Sequence, residues 1–321
     1  MSDRRNVDVL IAGQGAAAFS AGLYSARYQM NALIVGETFG GETALGGLIE
    51  NYPGAPDIDG FELMLKMQEQ VQKYGVPIVS AKVEHVRRVD GCFEAGFSDG
   101  TGAHTASVIL AVGRERRKLG LPHEEEWIGK GVSYCSTCDA PLYRGKVAAI
   151  VGGGNAAVEG AILTAKYAAS VYLIYRRAQF TRPDPVLLRQ LEKTENVSVL
   201  FETVVTELIG SDQKGLEAIR LSRPFEGSDV LEVHGILIEA GADPRLELPN
   251  QLGLNINPET NEVHVDRMMR TGVDGVYAAG DLTDGSGPLK QTVTAAAQGA
   301  IAALSAYHHV SSRATPCPHN A

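Results

Sequence analysis

The chain has four cysteines in 321 residues, a formal net charge of -9, and no apolar run of about eighteen residues. Each shortage excludes something. With 29 Lys and Arg outnumbered by 38 Asp and Glu, nucleic acid is a poor partner, because phosphate binding needs concentrated positive charge. A membrane span is likewise not expected. The first residues, Met1–Asn6, lead almost at once into a core strand, so no cleaved leader is expected and a cytoplasmic setting fits. Zinc is excluded for want of ligands: only one Cys-x-x-Cys exists, and Cys92 and Cys317 stand isolated. The tail from His308, with its paired histidines and Pro316-Cys317-Pro318, reads as disordered and without metal.

The one cysteine pair, Cys135-Ser136-Thr137-Cys138-Asp139, is therefore read as a redox device. Two thiols at this spacing hold two electrons as a dithiol and release them to another disulfide. A length of 321 residues exceeds what one core usually supports, so two domains are expected.

Two copies of one signature flank the pair. Val7–Ala12 reads as a buried strand running into Gly13-Gln14-Gly15-Ala16-Ala17-Ala18 and a helix through Arg27. This is Gly-x-Gly-x-x-Ala between strand and helix, the setting in which the pattern has meaning. Gly13 permits the turn, Gly15 lets backbone N–H groups approach a pyrophosphate, and Ala18 lets the helix lie close to the sheet. The next strand, Asn31–Gly36, ends at Glu37, whose carboxylate suits a free ribose hydroxyl and repels a 2′-phosphate; FAD or NAD is expected there. The glycines of Phe39-Gly40-Gly41-Glu42 and the segment Ile49–Gly54, with Asn51, indicate backbone pressed against a flat ligand. A helix over Phe61–Tyr74, an antiparallel pair over Lys82–Phe97 and a returning strand at Ser107–Gly113 follow.

Beyond the dithiol, Lys146–Val151 is a new strand leading into Gly152-Gly153-Gly154-Asn155-Ala156-Ala157. Its partner strand, Ser170–Tyr175, ends in Arg176-Arg177, and guanidinium pairs bidentately with phosphate, so NADPH is the expected ligand. Near the C-terminus, Gly275–Asp281 reads as a strand whose terminal carboxylate binds a polyol hydroxyl. Lys290-Gln291-Thr292 then opens an Ala-rich helix with its positive end available to an electron-accepting ring. The expected fold is α/β: two Rossmann-like three-layer dinucleotide-binding domains, the second inserted into the first. The expected domains are 1–115 with 245–321 for FAD, and 116–244 for the pyridine nucleotide and the dithiol.

The order of these motifs, with Glu50-Asn51-Tyr52-Pro53-Gly54 and Ala279-Gly280-Asp281, resembles the low-molecular-weight thioredoxin reductases over nearly the whole chain. The resemblance implies a homodimer and a swivelling inserted domain. Cys138 would be the flavin-facing thiol, Cys135 the thiol that attacks thioredoxin, and Asp139 the acid. It implies FAD ligands at Gly13, Gly15, Ala18, Glu37, Gly40, Gly41, Asn51, Gly113, Asp281, Lys290, Gln291 and Thr292. It also implies NADPH ligands at Gly152, Gly154, Asn155, Ala156, Arg176, Arg177 and Arg182. The chain departs from the usual pattern at Tyr175, where a His is common, at Arg182, one place late, and at Gly160, where a second Glu is frequent. Some relatives with an altered clamp take electrons from ferredoxin or from another, unidentified donor, so a donor other than NADPH is a second expectation. A flavin dithiol oxidase and a redox sensor without turnover are the remaining readings.

Overall fold

The computed structural model describes residues 4–45, 48–180, 183–313 and 317. It divides into two compact units, one of Met1–Glu115 with Pro244–Ala321, the other of Arg116–Asp243.

The first unit begins with β1 (Arg4–Ala12), α1 (Ala16–Arg27), β2 (Ala32–Gly36), α2 (Gly60–Gln72), β3 (Ile78–Ser80), β4 (Val83–Val89), β5 (Cys92–Phe97) and β6 (Gly102–Leu110). The last four residues of β1, Val9-Leu10-Ile11-Ala12, are buried, as an apolar run requires of a strand covered on both faces. Asp59 starts α2 by accepting from the backbone N–H groups of Phe61 and Glu62.

In the second unit come β7 (Val132–Ser133), α3 (Ser136–Asp139), β8 (Val147–Val151), α4 (Asn155–Ala165), β9 (Ser170–Tyr175), α5 (Pro185–Leu191), β10 (Val197–Phe201) and β11 (Gly235–Ile238). Five of these strands form one parallel sheet in the order β7-β11-β8-β9-β10. One face packs Ile150, Leu173 and Leu237 on Val158 and Ala161 of α4. The other packs Ile174, Ile236 and Ile238 on Trp127 and on Leu208 and Ile219, which belong to an antiparallel three-stranded sheet spanning residues 205–232. The covered two-faced sheet is why these strands read as continuous apolar runs.

The chain then re-enters the first unit with β12 (Val276–Ala278) and α6 (Thr292–Ser312). Here the sheet order is β3-β2-β1-β6-β5-β4. The long β6 changes partner along its length: residues 102–105 pair antiparallel with β5, and 108–110 pair parallel with β12. Both units thus place the strand that leads into the glycine turn, β1 or β8, between the strand that follows it, β2 or β9, and a strand that comes later, β6 or β11, the doubly wound arrangement with a crevice at the strand carboxyl ends. No described helix is long and apolar enough to cross a membrane.

The C-terminal region differs from expectation. Helix α6 continues through His308 to Ser312, with Tyr307 stacked on Tyr28 at 5.0 Å between ring centroids. Cys92 and Cys317 are not isolated but form a disulfide, with Cα atoms 6.0 Å apart across 225 residues. Both are buried, beside Ala106 and Val310. The reason is topological: β5 lies next to the strand that carries Ala106, and α6 returns its C-terminal end to that edge. Residues 314–316 and 318–321 lie outside the described part.

Candidate functional site: two dinucleotide loops and a dithiol

In the first unit the turn after β1 is set by Gly13, at φ 127°, where an added Cβ would lie 2.1 Å from the Ala111 carbonyl oxygen. Only glycine fits. Gly15 presents bare backbone, since its Cβ would meet nothing nearer than the Gly40 oxygen at 4.0 Å, and Ala18 is fully buried where α1 meets the sheet. Gly40 and Gly41 sit opposite, at φ 71° and 55°, with the Gly40 N–H donating to the Gln14 oxygen at 2.8 Å. Glu37 is exposed at the end of β2.

The start of α6 converges on this loop. Thr43 and Thr292 hydroxyls lie 3.1 Å apart, and the Asn51 amide donates to Gln291 Oε1 at 3.0 Å. Gln291 and Thr294 form a reciprocal capping box at the helix start. Asp281 lies in the turn after β12, and burial raises its carboxyl above the usual range, although Arg114 and Lys290 pull the other way. Lys290 is engaged: its ammonium pairs with Glu262 at 3.0 Å and donates to the Thr283 carbonyl. Gly113 sits at φ 65° after β6, with open space where a Cβ would be. One contributor was not foreseen. Gln298, buried on α6, accepts from the Gly280 N–H at 2.7 Å and the Thr283 hydroxyl at 3.0 Å, fixing the Asp281 turn to the helix. A lone Gln in an Ala-rich helix is the only sequence signal for it.

The second unit repeats the turn. Gly152, at φ 155°, would place a Cβ 2.2 Å from the Glu239 carbonyl oxygen, and Gly154 has nothing within 4 Å. Ala156 is exposed on the first turn of α4. The Asn155 carboxamide oxygen accepts from the Asp184 N–H at 2.8 Å, tying α4 to the start of α5. Arg176 and Arg177 are exposed, with no side-chain hydrogen bond or ion pair among the described residues. Arg182 lies outside the described residues. Tyr175, the residue just before the arginine pair, is buried and lays its ring over Gly153; it stacks on Phe180 at 5.5 Å, and Phe180 meets Phe201 at 5.0 Å. Reading the motif alone gave no hint of this aromatic wedge.

The dithiol is in the same unit. Cys135 and Cys138 are bonded, with Cα atoms 5.3 Å apart, Cys135 half-buried and Cys138 exposed. Cys135 caps α3: its sulfur accepts from the Cys138 N–H at 3.1 Å, and its own N–H donates to Ser133 Oγ at 3.0 Å. A backbone donor aimed at Sγ of Cys135 favours its thiolate once the bond is reduced. The Ser136 N–H donates to Glu239 at 3.1 Å, and Arg116 lies 3.8 Å from the same carboxylate oxygen. Gly160 has a local reason: a Cβ there would sit 2.6 Å from Ser136 Oγ, so glycine lets α4 close on the dithiol segment. Tyr143, in the next turn, has its hydroxyl pushed up to about 12 by burial and then by the Asp139 carboxylate.

Two Gly-x-Gly-x-x-Ala turns in separate units, one of them joined to a Cys-x-x-Cys disulfide, now stand beside known proteins. Residues 7–299 match the family of pyridine nucleotide-disulphide oxidoreductases. The chain belongs to that family. Within it, the thioredoxin reductase of Treponema pallidum is 35% identical over 94% of this chain and 97% of its own length. The crystal structure of Lactococcus lactis thioredoxin reductase superposes with a TM-score of 0.88 at 32% identity, covering 96% of this chain and all of that one. These place the chain among the low-molecular-weight thioredoxin reductases. It is also 34% identical to an alkyl hydroperoxide reductase chain of Xanthomonas campestris pv. phaseoli, over 96% of this chain but only 58% of that protein. The chain thus spans less than two thirds of that longer relative.

Proposed function

We propose that the chain is an FAD-dependent thioredoxin-disulfide reductase, with NADPH as donor and the Cys135–Cys138 pair as the exit to thioredoxin. The observation that carries this reading is the half-exposed disulfide in a unit that has its own dinucleotide turn. Bare backbone at Gly15 and at Gly154, where no Cβ intrudes, fits a pyrophosphate in each unit. Gly13, Gly15, Ala18, Glu37, Gly40, Gly41, Asn51, Gly113, Asp281, Lys290, Gln291 and Thr292 would hold FAD. Gly152, Gly154, Asn155, Ala156, Arg176, Arg177 and Arg182 would hold NADPH. Bound FAD supplies two-electron exchange between a nicotinamide and a disulfide.

The thiol steps belong to the chain. In the reduced protein the Cys135 thiolate, favoured by the Cys138 N–H, attacks the substrate disulfide and expels one substrate thiolate, which takes a proton from Asp139. Cys138 then gives its proton to the Asp139 carboxylate and attacks Cys135 Sγ, which re-forms the Cys135–Cys138 bond and releases the second substrate thiolate. Thioredoxin, at roughly -270 mV, is a fitting acceptor for a low-potential flavin dithiol enzyme. The domain division expected from the sequence, a homodimeric state and a cytoplasmic setting belong to the same proposal.

Anaerobic mixing with NADPH tests the donor. Prompt bleaching of the flavin absorbance is the expected result; persistent yellow colour, with bleaching by reduced ferredoxin, would replace NADPH with a ferredoxin-type donor. Cys138→Ser is expected to keep FAD and lose disulfide turnover, and unchanged turnover would overturn the exit assignment.

A further inference from the structure

The second disulfide is unlike the first in every respect but its chemistry. It joins the first residue of β5 to Cys317, a few residues past α6, and both ends are buried, at 5% and 2% exposure. One sulfur has a cation on it. Arg313 donates from Nη2 to Cys92 Sγ at 3.1 Å and from Nη1 to the Gly91 carbonyl at 2.9 Å, while its Nε is buried with no hydrogen-bond partner among the described residues. The guanidinium is thus held in place by a backbone contact and points at Cys92.

Burial by itself disfavours a thiolate, and a guanidinium hydrogen-bonded to sulfur favours one. In thiol–disulfide exchange the sulfur with the more stable thiolate leaves and the other is attacked. The geometry therefore gives the bond a polarity: Cys92 is the leaving sulfur and Cys317 the attacked one. A purely structural staple has no need of that asymmetry. In a reducing compartment, a disulfide is also more often transient, catalytic or redox-sensing than permanent.

We propose that Cys92–Cys317 is a second two-electron thiol centre that equilibrates with a dithiol protein of the thioredoxin type. The incoming thiolate bonds to Cys317 Sγ as the Cys92–Cys317 bond breaks, and Cys92 departs as a thiolate beside Arg313. The second thiol of the incoming protein, deprotonated, attacks its own sulfur in the mixed disulfide and expels Cys317, which takes up that proton. One disulfide in this chain becomes two thiols and one dithiol in the partner becomes a disulfide; the reverse exchange closes the centre. Closure ties the end of α6 to β5, and opening frees Cys317 from that edge. Resting on the function proposed above, the centre senses the oxidation state of the pool that this enzyme supplies.

The test uses the full chain with Cys135→Ser and Cys138→Ser, so that only the second disulfide remains. It is incubated anaerobically with thioredoxin that has been reduced chemically and separated from the reductant. Thiols are then alkylated and mapped by mass spectrometry. No flavin turnover is involved, so failure here is distinct from failure of the proposed enzymatic activity. Alkylation of both Cys92 and Cys317 in the native protein, graded by the ratio of reduced to oxidised thioredoxin, is expected. Thioredoxin lacking its second active-site cysteine should be trapped on Cys317 and not on Cys92, a readout that needs no change at Arg313. Arg313→Gln should slow opening about tenfold, with Arg313→Lys restoring part of the rate. A pair that opens only in denaturant, a trap on Cys92, or equal opening rates with Arg313→Gln would each overturn the proposal.

Discussion

Each dinucleotide turn fills the space beside its own second strand, but from a different side in each unit. In the first unit the second residue of the turn is large and the last residue of the neighbouring strand is small. Gln14 donates from its amide to the Gly36 and Val79 carbonyls at 2.7 and 3.2 Å, and a Cβ on Gly36 would lie 2.7 Å from the Gly13 carbonyl carbon. In the second unit the sizes are exchanged. Gly153 is bare, and the Tyr175 ring lies where a Cβ would come within 2.0 Å of it. One volume is kept filled while its donor changes, because a close-packed interior tolerates neither a void nor an overlap there. The exchange also changes what surrounds each strand end: a polar amide before Glu37 in one unit, and in the other, next to Arg176, a Tyr175–Phe180 stack met edge-on by Phe201.

The strongest way to break the parallel is at the glycines that both turns share. Gly13→Ala and Gly152→Ala each drive a Cβ into a backbone oxygen, at 2.1 and 2.2 Å, which cannot move aside as a side chain can. Each is expected to destabilise its own unit by more than about 3 kcal/mol. Flavin content should fall for Gly13→Ala and hold for Gly152→Ala, as measured by absorbance per chain with unfolding followed by calorimetry. Equal flavin loss in both would mean that the two turns do not serve separate ligands. Next in size is the exchanged pair. The three nearest atoms to a Cβ in Gly153→Ala all belong to the Tyr175 ring, so it should cost about 1–3 kcal/mol and be partly rescued by Tyr175→Ala, with a coupling near 1–2 kcal/mol. Gly36→Ala meets backbone, and Gln14→Ala should not rescue it. Denaturant titration of the two double-mutant cycles separates the cases.

How much of this was legible in the sequence follows from the range of the interactions. The turns, the Cys-x-x-Cys segment and the Ala-rich helix are local patterns, and the two α/β units follow from strand-turn-helix order. Pairing across long separations was not legible. Cys92 and Cys317 are brought together only because β5 and the end of α6 share an edge, and no spacing rule predicts a contact across 225 residues. Lys290 reads as a ligand from its place before the helix, but local pattern does not show that it also pairs with Glu262, 28 residues earlier in the chain. The Tyr175 wedge and the reason for Gly160 depend on which side chain faces which, a matter of packing and not of local preference.

A smaller effect sharpens the contrast at the strand ends. Arg176→Ala with Arg177→Ala should weaken NADPH binding about tenfold while barely changing NADH, and the difference should shrink as salt rises. Titration by nucleotide absorbance or fluorescence reads both. An equal loss for the two nucleotides would place the arginines away from the 2′-phosphate.

The smallest predicted effect concerns two largely buried carboxylates that respond to pH in opposite senses. Burial pushes Asp281 of the first unit up, and Arg114 and Lys290 only partly offset it. Its folded value exceeds the unfolded one, so its contribution is present in acid and lost as pH rises through the folded value. Glu124 of the second unit is buried too, but the Tyr134 hydroxyl and the backbone N–H groups of Leu121, Leu119 and Gly120 outweigh that penalty and hold it below the usual range. Its contribution is present near neutrality and lost as pH falls through the folded value. Asp281→Asn should therefore stabilise the first unit by up to about 1 kcal/mol at pH 7 and nothing at pH 3, in protein freed of flavin. Glu124→Gln should cost a similar amount at pH 7, a cost that shrinks only as pH falls through the lowered folded value of Glu124. Unfolding free energies at the two pH values decide it: parallel responses would mean that burial alone sets both groups, and that the donors gathered around Glu124 do not distinguish it.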